Sequence, residues 1–227
     1  MLSRRIAVVS TLFLLGVTLF PAAFAQFQMG PPRMSGVWNP VVGSGAVYSM
    51  QRKGKPEGEM QFAVVGKETV DGGTGYWVEV TMNDQEAGGE VIYKSLFVVA
   101  ADQMEVKKVI FQMPGEPPME MPMGMMQMGG RQAQSADIRK DKDVVLVGTE
   151  SVTTPAGTFN CQHYRSTSTG SVTWVATGVA PYGLVKSVSK DGETMVLTRV
   201  LSSAKTKITG APQPFDPMQM MRQRPDN

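Results

Sequence analysis

The sequence predicts an all-β, mainly antiparallel fold: an open, strongly curved half-barrel of about ten strands, with little helix beyond an N-terminal signal peptide. Three observations support this prediction. Apolar and polar residues alternate in short runs, as in strands whose successive side chains point to opposite faces. Turn-forming residues separate the runs at hairpin spacing. No long segment after the N-terminus carries apolar residues at helical spacing.

The predicted strands form two groups with different turn sequences between them. We place the first five strands at 46–51, 60–64, 76–82, 90–98 and 106–112, with turns at 55–58, 71–73, 83–84 and 88–89. We place the second five at 144–152, 158–166, 171–176, 184–189 and 193–201. Gly, Pro, Asn and Asp in the intervening turns favour tight reversals of the chain. Residues 132–140 have room for two helical turns at most.

Several predicted strands are apolar on both faces. In residues 91–98 the odd-numbered and the even-numbered positions are both mostly apolar, and residues 106–111 repeat the pattern. A sheet with one solvated face would show a cleaner alternation. The second face must therefore be covered by another sheet layer, a short helix, the terminal arms or a bound apolar molecule. This requirement is the main physical clue to function.

The N-terminus has the pattern of an export signal. Arg4 and Arg5 precede an apolar run over 6–20, and Ala23-Phe24-Ala25 supplies the small residues that signal peptidase recognises. The run has about fifteen residues, fewer than the roughly twenty that a membrane-spanning helix needs. No cysteine near residue 25 offers a site for a lipid anchor. We therefore expect a periplasmic protein, with an extracellular location as a weaker alternative, and not an integral membrane protein.

Composition divides the chain into a leader, a body and two arms. We expect a signal peptide over 1–25, a flexible N-terminal arm over 26–43 that docks through Val37 and Trp38, and a single β domain over 44–202 with a Met-rich loop inserted at 113–130. Residues 203–227 are rich in proline and methionine and are expected to form a disordered tail.

The charge balance excludes nucleic acid as a partner. The chain has 22 basic and 20 acidic residues, and removal of Arg4 and Arg5 leaves 20 of each. A nucleic-acid-binding protein needs concentrated basic residues to displace counterions from phosphates, and the lysines and arginines here are scattered. The one cysteine, Cys161, excludes an intramolecular disulfide.

The Met-rich loop has three interpretations. Seven methionines fall within residues 113–128, and the prolines and glycines among them exclude a regular helix or a central strand. Thioether side chains adapt to irregular apolar shapes, which suits a flap over a groove. Soft sulfur ligands also favour copper(I), although His163 is the only histidine. The third interpretation is a low-complexity loop without a site. The candidate copper ligands are Met119, Met121, Met123, Met125, Met126 and Met128.

No enzymatic motif is recognisable. Cys161 and His163 lie on one face of a predicted strand, about 6–7 Å apart. This is too far for a thiol–imidazole hydrogen bond but close enough to share a metal ion. The alternative is that Cys161 is a small core residue beside Phe159, as free cysteines usually are. Without a serine elbow, phosphate loop, HExxH motif or paired carboxylates, we expect a non-enzymatic protein without a cofactor.

The second β group carries a motif string that resembles a known superfamily. The string contains Pro155-Ala156-Gly157-Thr158-Phe159, then Trp174-Val175, then Pro181-Tyr182-Gly183-Leu184-Val185-Lys186. It is similar to exported bacterial domains related to the lipoprotein-localisation (LolA/LolB-like) superfamily, over roughly residues 44–202. The resemblance implies an open half-barrel whose apolar face binds lipid, acyl chains or a lipidated partner. Those carriers have helices at the barrel mouth, whereas here the Met-rich loop takes that place.

The sequence therefore predicts a non-enzymatic periplasmic binding or carrier protein for an apolar, lipid-like ligand or a lipidated partner. The alternatives are a copper(I)-binding protein that uses the Met-rich loop and a structural or assembly protein of the envelope. A register error of one residue would move the whole ligand-binding set to the other face. The candidate ligand-binding residues are Tyr48, Phe62, Tyr76, Phe97, Phe111 and Trp174.

Overall fold

The computed structural model describes residues 34, 36–85, 87–124 and 134–215. The predicted signal peptide and residues 216–227 lie outside these ranges, as do Met125, Met126 and Met128. The predicted fold class is confirmed: the described chain is an open, mostly antiparallel sheet of thirteen strands with essentially no helix.

One sheet contains every strand. In spatial order it runs β13-β6-β5-β4-β3-β2-β1-β12-β11-β10-β9-β8, and β7 also pairs with β5. A short 3₁₀ helix covers Ile138–Lys140. The strands are β1 (Gly45–Arg52), β2 (Lys55–Val70), β3 (Gly73–Asp84), β4 (Gly89–Ala100), β5 (Gln103–Gln112), β6 (Met119–Glu120), β7 (Gln134–Ser135), β8 (Val144–Thr154), β9 (Gly157–Ser166), β10 (Val172–Val175), β11 (Leu184–Val188), β12 (Glu193–Leu201) and β13 (Gln213–Pro214).

Two antiparallel meanders, β1–β5 and β8–β12, meet where β1 pairs with β12. The two groups predicted from the sequence are therefore the two halves of one continuous sheet. The two ends of this sheet differ. One end is the eleven-residue strand β8, and the other is built from the two-residue strands β6 and β13.

Tight two-residue turns join several neighbouring strands. Lys53 and Gly54 connect β1 to β2, and Asp71 and Gly72 connect β2 to β3, all four with positive φ. Consecutive positive φ values give the turn whose twist matches that of the flanking strands. The turn predicted at 55–58 is wrong, because these residues begin β2 and pair with the end of β1 through an irregular register. The Pro and Gly in this segment mark an irregular strand entry, a place where both residues are tolerated.

The two faces of the sheet have different cores, and we call them the inner and the outer face. The inner face of β1–β5 is buried and almost entirely apolar. It carries the large core and extends into the second meander through Cys161 and Leu197. Its buried apolar side chains on the first meander are Ala46, Tyr48, Met60, Phe62, Val64, Val78, Val80, Val91, Tyr93, Phe97, Met104, Val109 and Phe111.

The N-terminal arm covers part of the inner face. Val37 and Asn39 donate backbone hydrogen bonds to the carbonyls of Tyr182 and Pro181, and Trp38 donates one to Ala136. A Cβ atom at Gly36 would collide with the carbonyl oxygen of Tyr182, so the arm approaches the β10–β11 loop (residues 176–183) more closely than any side chain would permit. The arm therefore docks through Asn39 as well as through Val37 and Trp38.

The outer face is covered by residues 203–215, which we call the strap. The sequence places these residues in a disordered tail, but the structure places them across β3–β5. Ile208 packs on Ile92, Ile110 and the half-buried Trp77. Beyond this contact, the strap pairs with β6 through β13 in parallel register. The sequence did not reveal the strap because Ile208 is its one large apolar residue that is buried.

A buried carboxylate fixes the strap to the sheet. Glu79 lies on the outer face of β3 and is 0% exposed. Its two oxygens accept hydrogen bonds from the Thr206 hydroxyl at 2.6 Å and from the Lys207 backbone N–H at 2.8 Å. The Lys207 ammonium group pairs with Glu90 at 2.6 Å. A buried carboxylate is stable only when its oxygens accept hydrogen bonds. The strap supplies these hydrogen bonds to Glu79, and Glu79 holds the strap on the sheet.

We predict that Glu79→Ala releases the strap. The Thr206 hydroxyl and the Lys207 N–H lose their acceptor, and the expected loss is about 1–3 kcal/mol of unfolding free energy. Urea unfolding measures this loss, and limited trypsin digestion reports faster cleavage after Lys205 and Lys207. Glu105→Ala is the control, because Glu105 makes a surface ion pair with Lys107 and its removal should change stability by less than about 0.5 kcal/mol. Equal effects of the two substitutions would contradict the anchoring role of Glu79.

Candidate functional site

An aromatic cluster fills the centre of the inner face. The ring of Trp38, brought in by the arm, lies 5.4 Å from Tyr182, 5.9 Å from Phe97 and 6.2 Å from Tyr76, measured between ring centroids. Tyr182 also meets Phe62 edge to face at 5.9 Å. Tilted and edge-on contacts at these distances stabilise aromatic pairs beyond the burial of their area. The cluster therefore joins the arm, the β10–β11 loop and the sheet.

The six candidate ligand-binding residues all pack in or against the inner-face core. Tyr48, Phe62, Phe97 and Phe111 are buried, whereas Tyr76 and Trp174 are partly exposed. The Tyr48 hydroxyl donates a 2.9 Å hydrogen bond to the carbonyl of Leu184. Burial, with a smaller effect of Tyr182, raises the pKa of Tyr48 far above its usual value, so this hydroxyl stays neutral.

Methionine side chains close the inner face beyond β5. Met119 pairs with Phe111 in the sheet register, and both Met119 and Met121 are buried in the core. Met123 is half-buried against the same core. The strap ends here, because Phe215 packs on Phe111 with ring centroids 5.8 Å apart. Of the six candidate copper ligands, the three described ones therefore pack against the inner-face core.

One polar side chain on the inner face has no partner among the described residues. The Ser95 hydroxyl is buried, and Ser95 pairs in register with Val78 on one side and Val109 on the other. Thr81 presents a similarly buried, unpartnered hydroxyl on the outer face. An unsatisfied buried hydroxyl costs stability, and each such group in a folded protein calls for an explanation.

A polar cluster spans β8–β11 in the second meander. One Glu150 oxygen accepts a hydrogen bond from Trp174 Nε1 at 2.5 Å and lies 2.8 Å from His163 Nδ1. The rings of His163 and Trp174 stack at 4.6 Å, and the Lys186 ammonium group lies 5.1 Å from the Trp174 ring. Trp174 is therefore fixed by polar partners as well as by the core.

Cys161 is a core residue. It is fully buried, and its thiol lies 3.6 Å from the carbonyl oxygen of Phe159. Burial, followed by the nearby Glu150 carboxylate, raises the pKa of the Cys161 thiol. The thiol is thus protonated and inaccessible in the folded protein. Among the described residues, no group of three or more His, Cys, Asp or Glu side chains is placed to hold a metal ion.

We predict that Cys161 reacts with a disulfide reagent at least about a hundredfold more slowly in the folded protein than in denaturant, because the buried thiol must be exposed before it reacts. The release of thionitrobenzoate measures both rates. A folded-state rate close to that of the denatured protein would contradict the burial of Cys161.

Three residues of this region were not identified from the sequence. Tyr182 lies between Pro181 and Gly183 and was assigned to a turn, while Met34 and Phe215 lie in segments with low-complexity composition. The large side chain in each case is surrounded by turn-forming residues, which hides its role in the core. A single large apolar or aromatic side chain within such a segment was the feature of the sequence that could have indicated a core contact.

Comparisons with known proteins give distant structural similarities. No protein-family model matches the chain, and no curated protein is significantly similar to it. A candidate lipoprotein from Parabacteroides distasonis is 17% identical with a TM-score of 0.37, and the match covers 74% of this chain and 100% of that protein. A candidate exported protein with a YmcC-like fold from Bacteroides fragilis is 14% identical with a TM-score of 0.35, covering 74% and 99%.

A DUF1329 family protein from Desulfovibrio piger is 13% identical with a TM-score of 0.32, covering 72% of this chain and 86% of that protein. Identities and TM-scores at this level establish neither a family nor a function. Within the described residues, no helix is long and apolar enough to cross a membrane.

Proposed function

We propose that this protein is a non-enzymatic binding or carrier protein of the periplasm for an apolar, lipid-like ligand or a lipidated partner. One observation carries the proposal: the continuous apolar inner face is covered by the arm, the β10–β11 loop and methionine side chains, and the described ranges contain no second sheet or layer of helices over it. Irregular segments can exchange with a ligand at a lower cost than a packed layer of regular structure.

The ligand would enter where methionines close the inner face. Three backbone hydrogen bonds hold the arm, one donated by each residue from 37 to 39. Gly36 fits closely against Tyr182. Beyond Glu120, Met121 donates one backbone hydrogen bond to the carbonyl of Val109, and the side chains of Met121 and Met123 complete the cover. Thioether side chains repack around irregular apolar shapes at low cost. The side chains of Met121 and Met123 are therefore the described part of the cover that a ligand would displace, and the arm is the part that stays in place.

The Ser95 hydroxyl would orient the ligand. It is buried on the inner face between Tyr93 and Phe97 along β4 and has no described partner. A fatty acid or lipid head group supplies an oxygen acceptor that would satisfy this donor. Binding sites of this kind combine a mostly apolar lining with few polar contacts. The motif string at residues 155–186, which resembles the lipoprotein-localisation superfamily, supports the same ligand class.

We predict that Ser95→Ala weakens binding of a fluorescent fatty acid by about 2- to 12-fold, the value of one net hydrogen bond. The stability of this variant should stay equal to that of the wild type or rise, because the lost hydroxyl has no partner in the free protein. Fluorescence titration with cis-parinaric acid measures the affinity, and urea unfolding measures the stability.

Thr81→Val is the matched control, since it removes an unpartnered buried hydroxyl from the outer face. Its affinity for the fatty acid should equal that of the wild type.

Mass spectrometry of protein purified from its own envelope should also detect copurified lipid. If cooperatively folded wild-type protein binds no fatty acid and carries no lipid, the proposal is wrong. Equal losses of affinity in Ser95→Ala and Thr81→Val would contradict the role of the Ser95 hydroxyl on the inner face in orienting the ligand.

A further inference from the structure

The end of the strap places an aromatic ring on the inner face. Phe215 packs on Phe111 with ring centroids 5.8 Å apart, and it is one of the half-buried residues around the inner-face core. Its backbone N–H donates a 3.2 Å hydrogen bond to the carbonyl of Glu120. Met119 pairs in register with Phe111, and Met121 follows directly after Glu120. The Phe215 ring therefore lies beside the methionine side chains where the ligand would enter.

The attachment of this end of the strap is exposed to solvent. Gln213 and Phe215 donate backbone hydrogen bonds to the carbonyls of Pro118 and Glu120, at 2.8 Å and 3.2 Å. The side chains of residues 209–214 are all exposed. A segment with exposed backbone hydrogen bonds and little apolar burial opens locally at a small cost in free energy. The ring contact of Phe215 is therefore the main apolar interaction that keeps this end closed.

A short hinge separates Phe215 from the Glu79 anchor. Residues 209–212 connect the buried Ile208 to β13. Gly210 lies in this hinge with φ +87°, and a Cβ atom there would meet no atom within 4 Å. Hinges are a few loop residues that absorb a change in backbone angles, and glycine allows the widest change. A rotation at Gly210 would move Phe215 and leave Ile208 on the outer face.

We propose that Phe215 is an intramolecular plug that an acyl chain displaces from Phe111 when the ligand binds. This inference rests on the proposed function and adds the position of the ligand's apolar chain. A flexible acyl chain can replace the phenyl ring against Phe111 and the thioether of Met119 without loss of apolar burial. Plug and ligand compete, so the closed plug lowers the apparent affinity by the fraction of molecules that it keeps closed.

Phe215→Ala tests the plug by the direction of its effect. Removal of a competing ring leaves more of the free protein open and should lower the dissociation constant of cis-parinaric acid by about 3- to 10-fold. A ring that merely lined the ligand site would raise the dissociation constant when removed. Fluorescence titration measures the change, and urea unfolding in one cooperative transition shows that the variant folds.

Phe159→Ala is the matched control. Phe159 is another half-buried phenylalanine that packs against the inner-face core, and it lies on β9 in the second meander. Its truncation loosens the core to a similar degree without removing a plug. The dissociation constant of cis-parinaric acid should therefore not fall in this variant.

A disulfide in the double variant Glu120→Cys/Pro214→Cys holds the plug in place. The two positions are partners in the parallel β6–β13 pair, and neither is buried. The oxidised variant should bind the fatty acid at least about tenfold more weakly than the same protein after reduction with dithiothreitol, because the plug cannot leave. Mass spectrometry confirms the disulfide, and the buried Cys161 stays outside this exchange.

The outcomes separate the plug from the proposed function. If the wild type binds the fatty acid and Phe215→Ala binds it equally or more weakly, the plug is wrong and the proposed function stands. Equal affinities of the oxidised and reduced double variant would also overturn the plug. If neither the wild type nor Phe215→Ala binds the fatty acid, the plug and the proposed function are both wrong.

Discussion

The structure depends on one constraint: a sheet that is apolar on both faces must be covered on both faces. No second sheet and no helical layer covers it within the described residues. The arm and the β10–β11 loop cover the inner face, and the strap covers the outer face. Because each cover lies far from its contact strands in sequence, the fold is held by long-range pairing more than by local structure.

The covers on the two faces meet at one end of the sheet. The strap begins after β12, is anchored by Glu79 on the outer face and reaches β6 through β13. Phe215 then packs on Phe111, which lies on the inner face beside Met119. The outer cover is thus physically connected to the methionine side chains that would admit a ligand.

The sequence predicts the strands well because side-chain alternation is a local pattern. Tyr48, Phe62, Phe97 and Phe111 all lie in the inner-face core. The need for a cover on the second face was also visible in residues 91–98. The segments that form the covers could not be predicted from the sequence. A segment with a single buried residue, such as Ile208, has no alternation of apolar and polar residues that would reveal it. The buried pairing of Glu79 with Thr206 is likewise invisible until the fold brings them together.

Hydrogen exchange at individual amides tests the two-sided covering most directly. The amides of Val37 and Trp38 on the inner face and of Lys207 on the outer face form hydrogen bonds in the folded protein. If the arm and the strap are integral parts of the fold, these amides exchange as slowly as those in the centre of β2 and β3. Exchange at the rate of an unstructured peptide, while β2 and β3 stay protected, would contradict the covering of both faces by the chain itself.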